Sequence, residues 1–390
     1  MVAKPRKTNS KFMLLSAIGI FLIVNMHCYY PIVPSNSLIP YRSCIVPLFV
    51  FISGYFNKVD NTTKLSQYIR KKEYSLLLPY FVIVFITFWI EQGIIWFKTS
   101  TAPVISIENI RDTIIVSSIS ILTNGFPVDI SGPVWFIPSL FSVLIIYAVL
   151  KKLFYKIWNS IVVFCIFCLL NIAVVWVSKR YGIELVYLLP LKCLFFLPFI
   201  EFGIIYREYI ETKICKMDVS RKCALIISLI IVNSFRAMAL PKPDDIDAGA
   251  FYNLSGFSSP YPVTPLVSSI LVILFWTTLV DLIGRPFYEI KIVNYISENT
   301  LYIMGYHFVF FNLLNCILKI IHSYFFSLPD FNNELFSQSN YYFWNYKGRF
   351  CLVYLFVGLF GPITIKYIVD KSVNCCKNRK NEDGRHSVCR

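Results

Sequence analysis

The chain has 390 residues, of which 56% are hydrophobic and 15% are charged, and its net charge is +15. An ordinary soluble domain carries about 25% charged residues, so this composition excludes a water-soluble globular protein. The basic residues flank apolar runs and form no soluble domain, which favours membrane loops facing the cytoplasm over nucleic-acid binding.

The long apolar runs predict an all-α integral membrane protein. The hydrocarbon core of a bilayer is about 30 Å thick, and a helix needs about 20 mostly apolar residues to cross it. A membrane β-barrel shows alternating apolar and polar residues in short segments, and this pattern does not occur. We therefore predict ten transmembrane helices, at about residues 12–30, 41–57, 75–97, 134–151, 159–178, 186–206, 222–240, 264–283, 297–321 and 349–369.

The distribution of basic residues predicts how these helices are oriented. With the N-terminus in the cytoplasm, the inner loops and tails hold 26 of the 37 Lys and Arg residues. Cytoplasmic loops of membrane proteins carry such an excess. We therefore expect a multi-pass protein of the cell membrane with both termini in the cytoplasm. It has one membrane domain over residues 1–370 and a basic cytoplasmic tail over residues 371–390.

Two histidines fall inside predicted spans, where ionisable groups cost free energy and often mark functional sites. His27 lies 15 residues after Phe12, about 22 Å along a helix, and so in the outer half of the membrane. It is either a histidine at the lipid headgroups or a general base, because imidazole titrates near neutral pH. His307 lies in the middle of the ninth span and is either an interhelical hydrogen-bonding group or part of the site.

Two further ionisable residues, Arg42 and Glu91, lie in the outer parts of the second and third spans. They are either snorkelling or paired groups near helix ends, or members of an outer pocket that they share with His27. An aromatic segment at residues 322–348 is explained by a belt of aromatic residues at the membrane interface, without any ligand.

A basic triplet, Arg70-Lys71-Lys72, directly precedes the third span. It is either an ordinary cytoplasmic flank in contact with anionic lipids, or a docking point for the phosphates of a cytoplasmic cofactor.

Four segments in order along the chain resemble the membrane acyltransferase-three family. They are residues 46–56 (VPLFVFISGYF), 68–81 (YIRKKEYSLLLPYF), 132–141 (GPVWFIPSLF) and 296–307 (ISENTLYIMGYH). The resemblance covers residues 12–321, and ten spans is the usual number in this family. Members transfer acyl groups, often acetyl, onto sugars of surface polysaccharides and similar acceptors.

The resemblance implies an O-acyltransferase of polysaccharide biosynthesis, with acetyl-CoA as donor and a surface or lipid-linked glycan as acceptor. His27 matches the catalytic histidine of the family, and acts as the base or as a transient acyl carrier. The basic triplet is expected to hold the coenzyme phosphates. The complete set of expected substrate-binding residues is Arg70, Lys71, Lys72, Trp135, His307 and Arg42. Beyond donor and acceptor we expect contact with membrane lipids, and neither a metal site nor a nucleic-acid partner.

The chain departs from the family at Ser16, where an arginine is usual eleven residues before the histidine. Eleven residues advance about 1100°, within about 20° of a whole number of turns, so Ser16 and His27 share a helix face. The missing cation supports an alternative, a non-enzymatic component of polysaccharide export such as a flippase or a polymerase partner. Dependence on acyl-CoA distinguishes the two functions.

Overall fold

All regular structure in the computed structural model is helical. The structure describes residues 9–28, 31–33, 41–60, 62–99, 111–112, 114–116, 118–119, 129–182, 185–239, 251, 254, 257 and 261–386. No strand occurs in this part of the chain. The prediction of an all-α protein is confirmed.

Fourteen α-helices can be given bounds in the part of the chain that the structure describes. They are α1 (Ser10–His27), α2 (Ile45–Tyr55), α3 (Leu65–Lys72), α4 (Leu78–Thr99), α5 (Phe136–Leu153), α6 (Ser160–Tyr181), α7 (Leu185–Ile205), α8 (Glu211–Lys216), α9 (Val219–Ala239), α10 (Thr264–Ile283), α11 (Lys291–Glu298), α12 (Thr300–Tyr324), α13 (Asn333–Gln338) and α14 (Cys351–His386). A π-helical turn at Glu73–Leu77 joins α3 to α4, and a 3₁₀ helix at Asp129–Trp135 leads into α5.

Eight described segments are long and apolar enough to cross a membrane, and they match eight of the ten predicted spans. The two others are helical but are not among these eight. The helix α2 has only 11 residues, because it begins at Ile45 after a turn. The helix α9 has 21 residues and carries Arg221, Lys222 and Arg236. The chain is therefore a multi-pass membrane protein, and α2 is shorter than the predicted span over residues 41–57.

Contacts at one end of the bundle show that some helices begin there and others end there. Lys11, near the start of α1, lies 3.2 Å from Asp281 near the end of α10 and 3.9 Å from Glu211 beyond the end of α7. Lys222 at the start of α9 also pairs with Asp281, at 2.6 Å, and Tyr55 at the end of α2 donates to Glu211. We call this the Lys11 end of the bundle, and the opposite end the His27 end.

The helix α7 lies at the centre of one group of helices and packs against α2, α5 and α6. The outward side chains of α6, such as Ile161, Leu169 and Trp176, are more than half exposed and apolar, as a lipid-facing surface requires. In contrast, α1 contacts α2, α10, α11, α12 and α14. It therefore joins the α7 group to a second group, in which α12 packs against α4 and α14.

Two glycines bring the backbones of α2 and α7 into contact. A Cβ atom added at Gly54 would lie 2.2 Å from the carbonyl oxygen of Ile200, and one at Gly203 would lie 2.3 Å from that of Phe51. Small residues allow such close approach of helices in membranes, where dispersion contacts replace the hydrophobic effect as the force between helices. The packing of these helices therefore depends on the absence of both side chains.

We predict that Gly54→Ala lowers the stability of the protein in detergent. The new methyl group meets backbone, which cannot rotate away, so α2 and α7 must separate at a cost of about 1–3 kcal/mol. The thermal midpoint of the purified protein, followed by fluorescence-detected size exclusion, should fall. Gly93→Ala is the matched control, because a Cβ atom there meets nothing within 4 Å. An unchanged midpoint for Gly54→Ala would contradict the close packing.

Candidate active site

Two histidines from different helices meet near the His27 end of the bundle. His27 is the last residue of α1, and His307 is the eighth residue of α12. Nδ1 of His27 lies 3.0 Å from Nε2 of His307, and the two rings stack with centroids 5.0 Å apart. His307 is fully buried, whereas His27 is half-buried. The pair therefore has one accessible ring and one enclosed ring.

A backbone carbonyl fixes which nitrogens of this pair carry protons. Nδ1 of His307 lies 2.9 Å from the carbonyl oxygen of Ile303, which can only accept, so this nitrogen donates. In a neutral imidazole the other nitrogen then accepts, so Nδ1 of His27 donates to Nε2 of His307. With both rings neutral, Nε2 of His27 is then the nitrogen of this histidine pair that keeps a free lone pair. The arrangement supplies a base whose ring orientation is held by a second ring.

Aromatic side chains enclose the histidine pair on one side. The ring centroid of Phe308 lies 5.1 Å from that of His27 and 4.8 Å from that of His307. Phe311 contacts the edge of His307 at 5.7 Å. These rings exclude water from His307 and leave His27 as the accessible member.

A polar network at the same end of the bundle joins α4, α12 and the segment after α13. The carboxylate of Glu91 accepts from Nδ2 of Asn340 at 3.0 Å and from the backbone of Ile130 at 3.4 Å. Nζ of Lys98 donates to Oδ1 of Asn340 at 3.2 Å and to Oδ1 of Asn312 at 3.3 Å. Glu91 therefore holds the segment after α13 on the bundle, and does so as a buried, partnered carboxylate.

Part of the aromatic segment forms a folded cap, which we define as residues 326–350. Its side chains and Leu318 of α12 make a separate apolar cluster near the C-terminal end of α12, with the cap residues Leu328, Phe331, Phe336, Tyr342 and Trp344. By contrast, Tyr324 and Phe325 are 83% and 75% exposed, as residues of an interface belt are. The belt interpretation therefore fails for the buried members, because they pack on one another instead of facing lipid.

Trp135 contacts a cation that the sequence analysis did not assign to the site. Nζ of Lys192, on α7, lies 4.3 Å from the centre of the Trp135 ring, and Lys192 is fully buried. An ammonium over an indole face is stabilised by the ring quadrupole, more strongly where water is excluded. The 3₁₀ helix that ends at Trp135 packs against α12 and α4. Trp135 therefore belongs to the same layer of the bundle as the helices that carry His307 and Glu91.

Arg42 lies just before α2 and is half-buried, with its guanidinium beside the hydroxyl of Tyr41. That hydroxyl also accepts from Nδ2 of Asn25 at 3.0 Å and donates to the carbonyl of Val33 at 2.8 Å. Because Asn25 precedes His27 by two residues on α1, these bonds hold Arg42 at the His27 end of the bundle.

The basic triplet does not present a single surface. Arg70 is exposed, lies 5.7 Å from the ring of Tyr74, and lines a groove of about 620 Å³ with Glu73, Tyr74, Leu77, Leu78 and Phe81. Lys72 is half-buried and lies over Tyr68 at 5.5 Å. Two residues advance about 200° around a helix, so Arg70 and Lys72 point in nearly opposite directions.

The triplet also lies far from the histidine pair. A Cβ atom at Gly305 would touch the side chain of Ile83, which fixes the level of the histidines along α4. Ile83 follows Arg70 by 13 residues, so the triplet lies about 20 Å nearer the Lys11 end along the helix axis.

The position of the missing family arginine carries no charge. Oγ of Ser16 donates to the carbonyl of Phe12 at 2.8 Å, within its own helix. The nearest cation on the same helix is Lys11, which is buried and donates to the hydroxyl of Tyr206 at 3.0 Å. An acidic residue at the end of a predicted span, Asp281, is the feature of the sequence from which this ion pair could have been inferred.

These features define a polytopic membrane protein with a histidine pair, in which one ring is buried and the other is half-buried and keeps a nitrogen with a free lone pair. A family model described as an acyltransferase domain matches residues 12–357. The chain therefore belongs to the membrane acyltransferase-three family and is an acyltransferase. Neither the curated proteins nor the solved structures include a match. Among the described residues, no group of three or more His, Cys, Asp or Glu side chains is arranged to hold a metal ion.

We predict that His27 and His307 act as one unit. His307→Ala should lower the rate of acyl transfer because it removes the partner that orients His27. The double variant His27→Ala/His307→Ala should be no slower than His27→Ala alone, since groups acting together are not additive. Initial rates in membranes with equal amounts of each variant measure this. Multiplicative losses in the double variant would mean that the two histidines act independently.

Proposed function

We propose that the protein transfers an acyl group, most simply acetyl, from acyl-CoA to a hydroxyl of a surface or lipid-linked glycan. The observation that carries this proposal is the hydrogen bond between His27 and His307, which leaves Nε2 of His27 as an accessible base. A sugar hydroxyl is a weak nucleophile at neutral pH, and a positioned base raises its reactivity.

In the proposed reaction, Nε2 of His27 takes the proton of the sugar hydroxyl as its oxygen attacks the thioester carbonyl. The new carbon–oxygen bond forms and the carbon–sulfur bond of the thioester breaks. The proton on His27 then passes to the departing sulfur, which leaves as the thiol of coenzyme A. The products are an O-acyl ester and free coenzyme A, and the histidine pair returns to its starting state.

We propose that the Lys11 end faces the cytoplasm, with residues 371–390 as a cytoplasmic tail to a single membrane domain over residues 1–370. This orientation follows the excess of Lys and Arg in the loops at that end. The last span also returns to the Lys11 end, because Lys366 lies over Tyr302 near the start of α12. Acyl-CoA then enters from the Lys11 end, and the glycan reaches His27 from the opposite side.

The expected substrate-binding residues differ in how well their positions suit a binding role. Lys72 faces the bundle and is the better candidate for a coenzyme phosphate, whereas Arg70 lines an outward groove. Trp135 is proposed to line the acyl or sugar path, with Arg42 at the His27 end and Lys71 on the exposed side of α3.

We predict that His27→Ala abolishes glycan acylation. Removal of a general base typically lowers the rate by about 10²–10⁴-fold. The measurement is acetyl content of the surface glycan by mass spectrometry, with cells that carry wild type, His27→Ala or no gene. Ser16→Ala is the control on the same helix, because the Ser16 hydroxyl bonds only its own backbone turn. Full acylation by His27→Ala would remove the catalytic assignment.

We predict that the triple variant Arg70→Gln/Lys71→Gln/Lys72→Gln raises the KM for acetyl-CoA. Each lost charge-assisted contact costs about 1–3 kcal/mol, which is about 5- to 150-fold in binding. The single variants should differ, with Lys72→Gln accounting for most of the effect and Arg70→Gln for little.

The control for this prediction is Lys64→Gln, which removes an exposed cation directly before α3 and tests for effects on membrane insertion. Amounts of each variant in the membrane are compared before kinetics. A wild-type KM in a correctly inserted triple variant would leave the triplet as a determinant of topology alone.

A further inference from the structure

We propose that Tyr341 of the cap is the platform on which the acceptor sugar stacks beside His27. This proposal rests on the proposed function, and it identifies which part of the protein binds the acceptor. Tyr341 is 46% exposed, and its ring packs edge-on against Phe308 with centroids 5.2 Å apart. Phe308 in turn contacts His27 at 5.1 Å. One aromatic ring therefore separates Tyr341 from the histidine that carries the free lone pair.

The residue before Tyr341 is held by three side chains from the bundle. Nδ2 of Asn340 donates to Glu91 at 3.0 Å, and its Oδ1 accepts from Lys98 at 3.2 Å. Its backbone carbonyl accepts from Nδ2 of Asn312 at 2.9 Å. These bonds connect Asn340 to α4 and to the same helix, α12, that carries His307.

The residue after Tyr341 is held as firmly. The carbonyl of Tyr342 accepts from Nδ2 of Asn315 at 2.7 Å, and Asn315 also bonds the hydroxyl of Tyr354. The Tyr342 hydroxyl accepts from the backbone of Asn332 at 3.0 Å. Burial raises the pKa of this hydroxyl, so it stays neutral at physiological pH.

The hydrogen bonds to residues 340 and 342 hold the backbone on both sides of an exposed ring. Buried residues of the cap are held by their apolar cluster, but Tyr341 is nearly half exposed and still has a fixed backbone on both sides. A binding group held rigidly by its supporting residues loses little conformational entropy when the ligand arrives. The geometry points to a binding surface beside the histidine pair.

The chemistry of the ring selects a carbohydrate. One face of a sugar ring consists of C–H bonds and lies flat on the negative face of an aromatic ring, while the hydroxyls project from its edge. A sugar stacked on Tyr341 can direct one of these hydroxyls toward His27. A tyrosine also supplies large contact area at low entropy cost, with a polar tip that tolerates water.

The test uses glycan isolated from cells that lack the gene, which carries unmodified acceptor hydroxyls. Transfer of radiolabelled acetyl from acetyl-CoA to this glycan is measured in membranes at varied acceptor concentration. Tyr341→Leu keeps an apolar contact with Phe308 but removes the aromatic face, so the KM for the glycan should rise about tenfold. The KM for acetyl-CoA and kcat should stay within twofold, and Tyr341→Phe should resemble wild type. Tyr324→Leu is the control, because that exposed aromatic lies at the end of α12.

A wild-type glycan KM in Tyr341→Leu would overturn the proposal, as would an equal rise for Tyr341→Phe. A joint change in kcat and in both KM values would indicate a structural role and would also overturn it. If Tyr341→Leu does not reach wild-type membrane levels, Tyr341→Met and Tyr341→Trp make the same comparison, with Met raising the glycan KM and Trp preserving it.

Failure of the proposed function gives a different result. In that case wild-type membranes transfer no acetyl to the glycan, or His27→Ala transfers it normally. Failure of the platform alone leaves His27→Ala inactive while Tyr341→Leu behaves as wild type.

Discussion

The structure depends on one constraint, that a polar group inside a bilayer must find its partner on another helix. Water cannot satisfy such a group there, and leaving it alone costs several kcal/mol. Two hydrogen bonds between neighbouring helices illustrate this constraint. Tyr147 on α5 donates to the carboxylate of Glu201 on α7 at 2.5 Å, and Nδ2 of Asn171 on α6 donates to the carbonyl of Phe195 at 2.6 Å. These bonds set the rotation of each helix, because a helix turned by one residue loses its partner.

At both ends of α1, a polar side chain is paired with a group on another helix. At the start, the buried Lys11 pairs with Asp281 and bonds Tyr206. At the end, His27 bonds His307. Buried ion pairs add little net stability, because desolvation offsets most of the attraction, but they specify arrangement. The Lys11 contacts therefore fix the axial position of α1, and that position determines whether His27 meets the ring of His307 about 25 Å away.

The all-α membrane fold was predictable from the sequence because composition reports directly on the lipid environment. The histidine pair was predictable only in part. His27 and His307 were each identified as costly groups inside spans, but their hydrogen bond depends on the relative height of two helices 280 residues apart in sequence, which no local pattern contains. The separation of Arg70 from Lys72 could have been found from helical periodicity, because consecutive cations cannot share one face. The cap could not, because its aromatic composition is the same whether the rings face lipid or one another.

The absence of charge at Ser16 has a structural consequence for how a donor is held. A thioester carrier needs cations for its phosphates, and these cations must lie where phosphates remain solvated, near the membrane surface. An arginine at position 16 would stand about 16 Å below His27, deep in the bundle, and would itself need a partner there. Here the Ser16 hydroxyl bonds its own helix instead. The buried lysines of the described bundle lie elsewhere, with Lys11 and Lys222 against Asp281 at one end and Lys192 against Trp135. In the proposed reaction the two tasks are thereby separated, since the cations proposed to bind the donor lie near the Lys11 end and the proposed base lies near the other end.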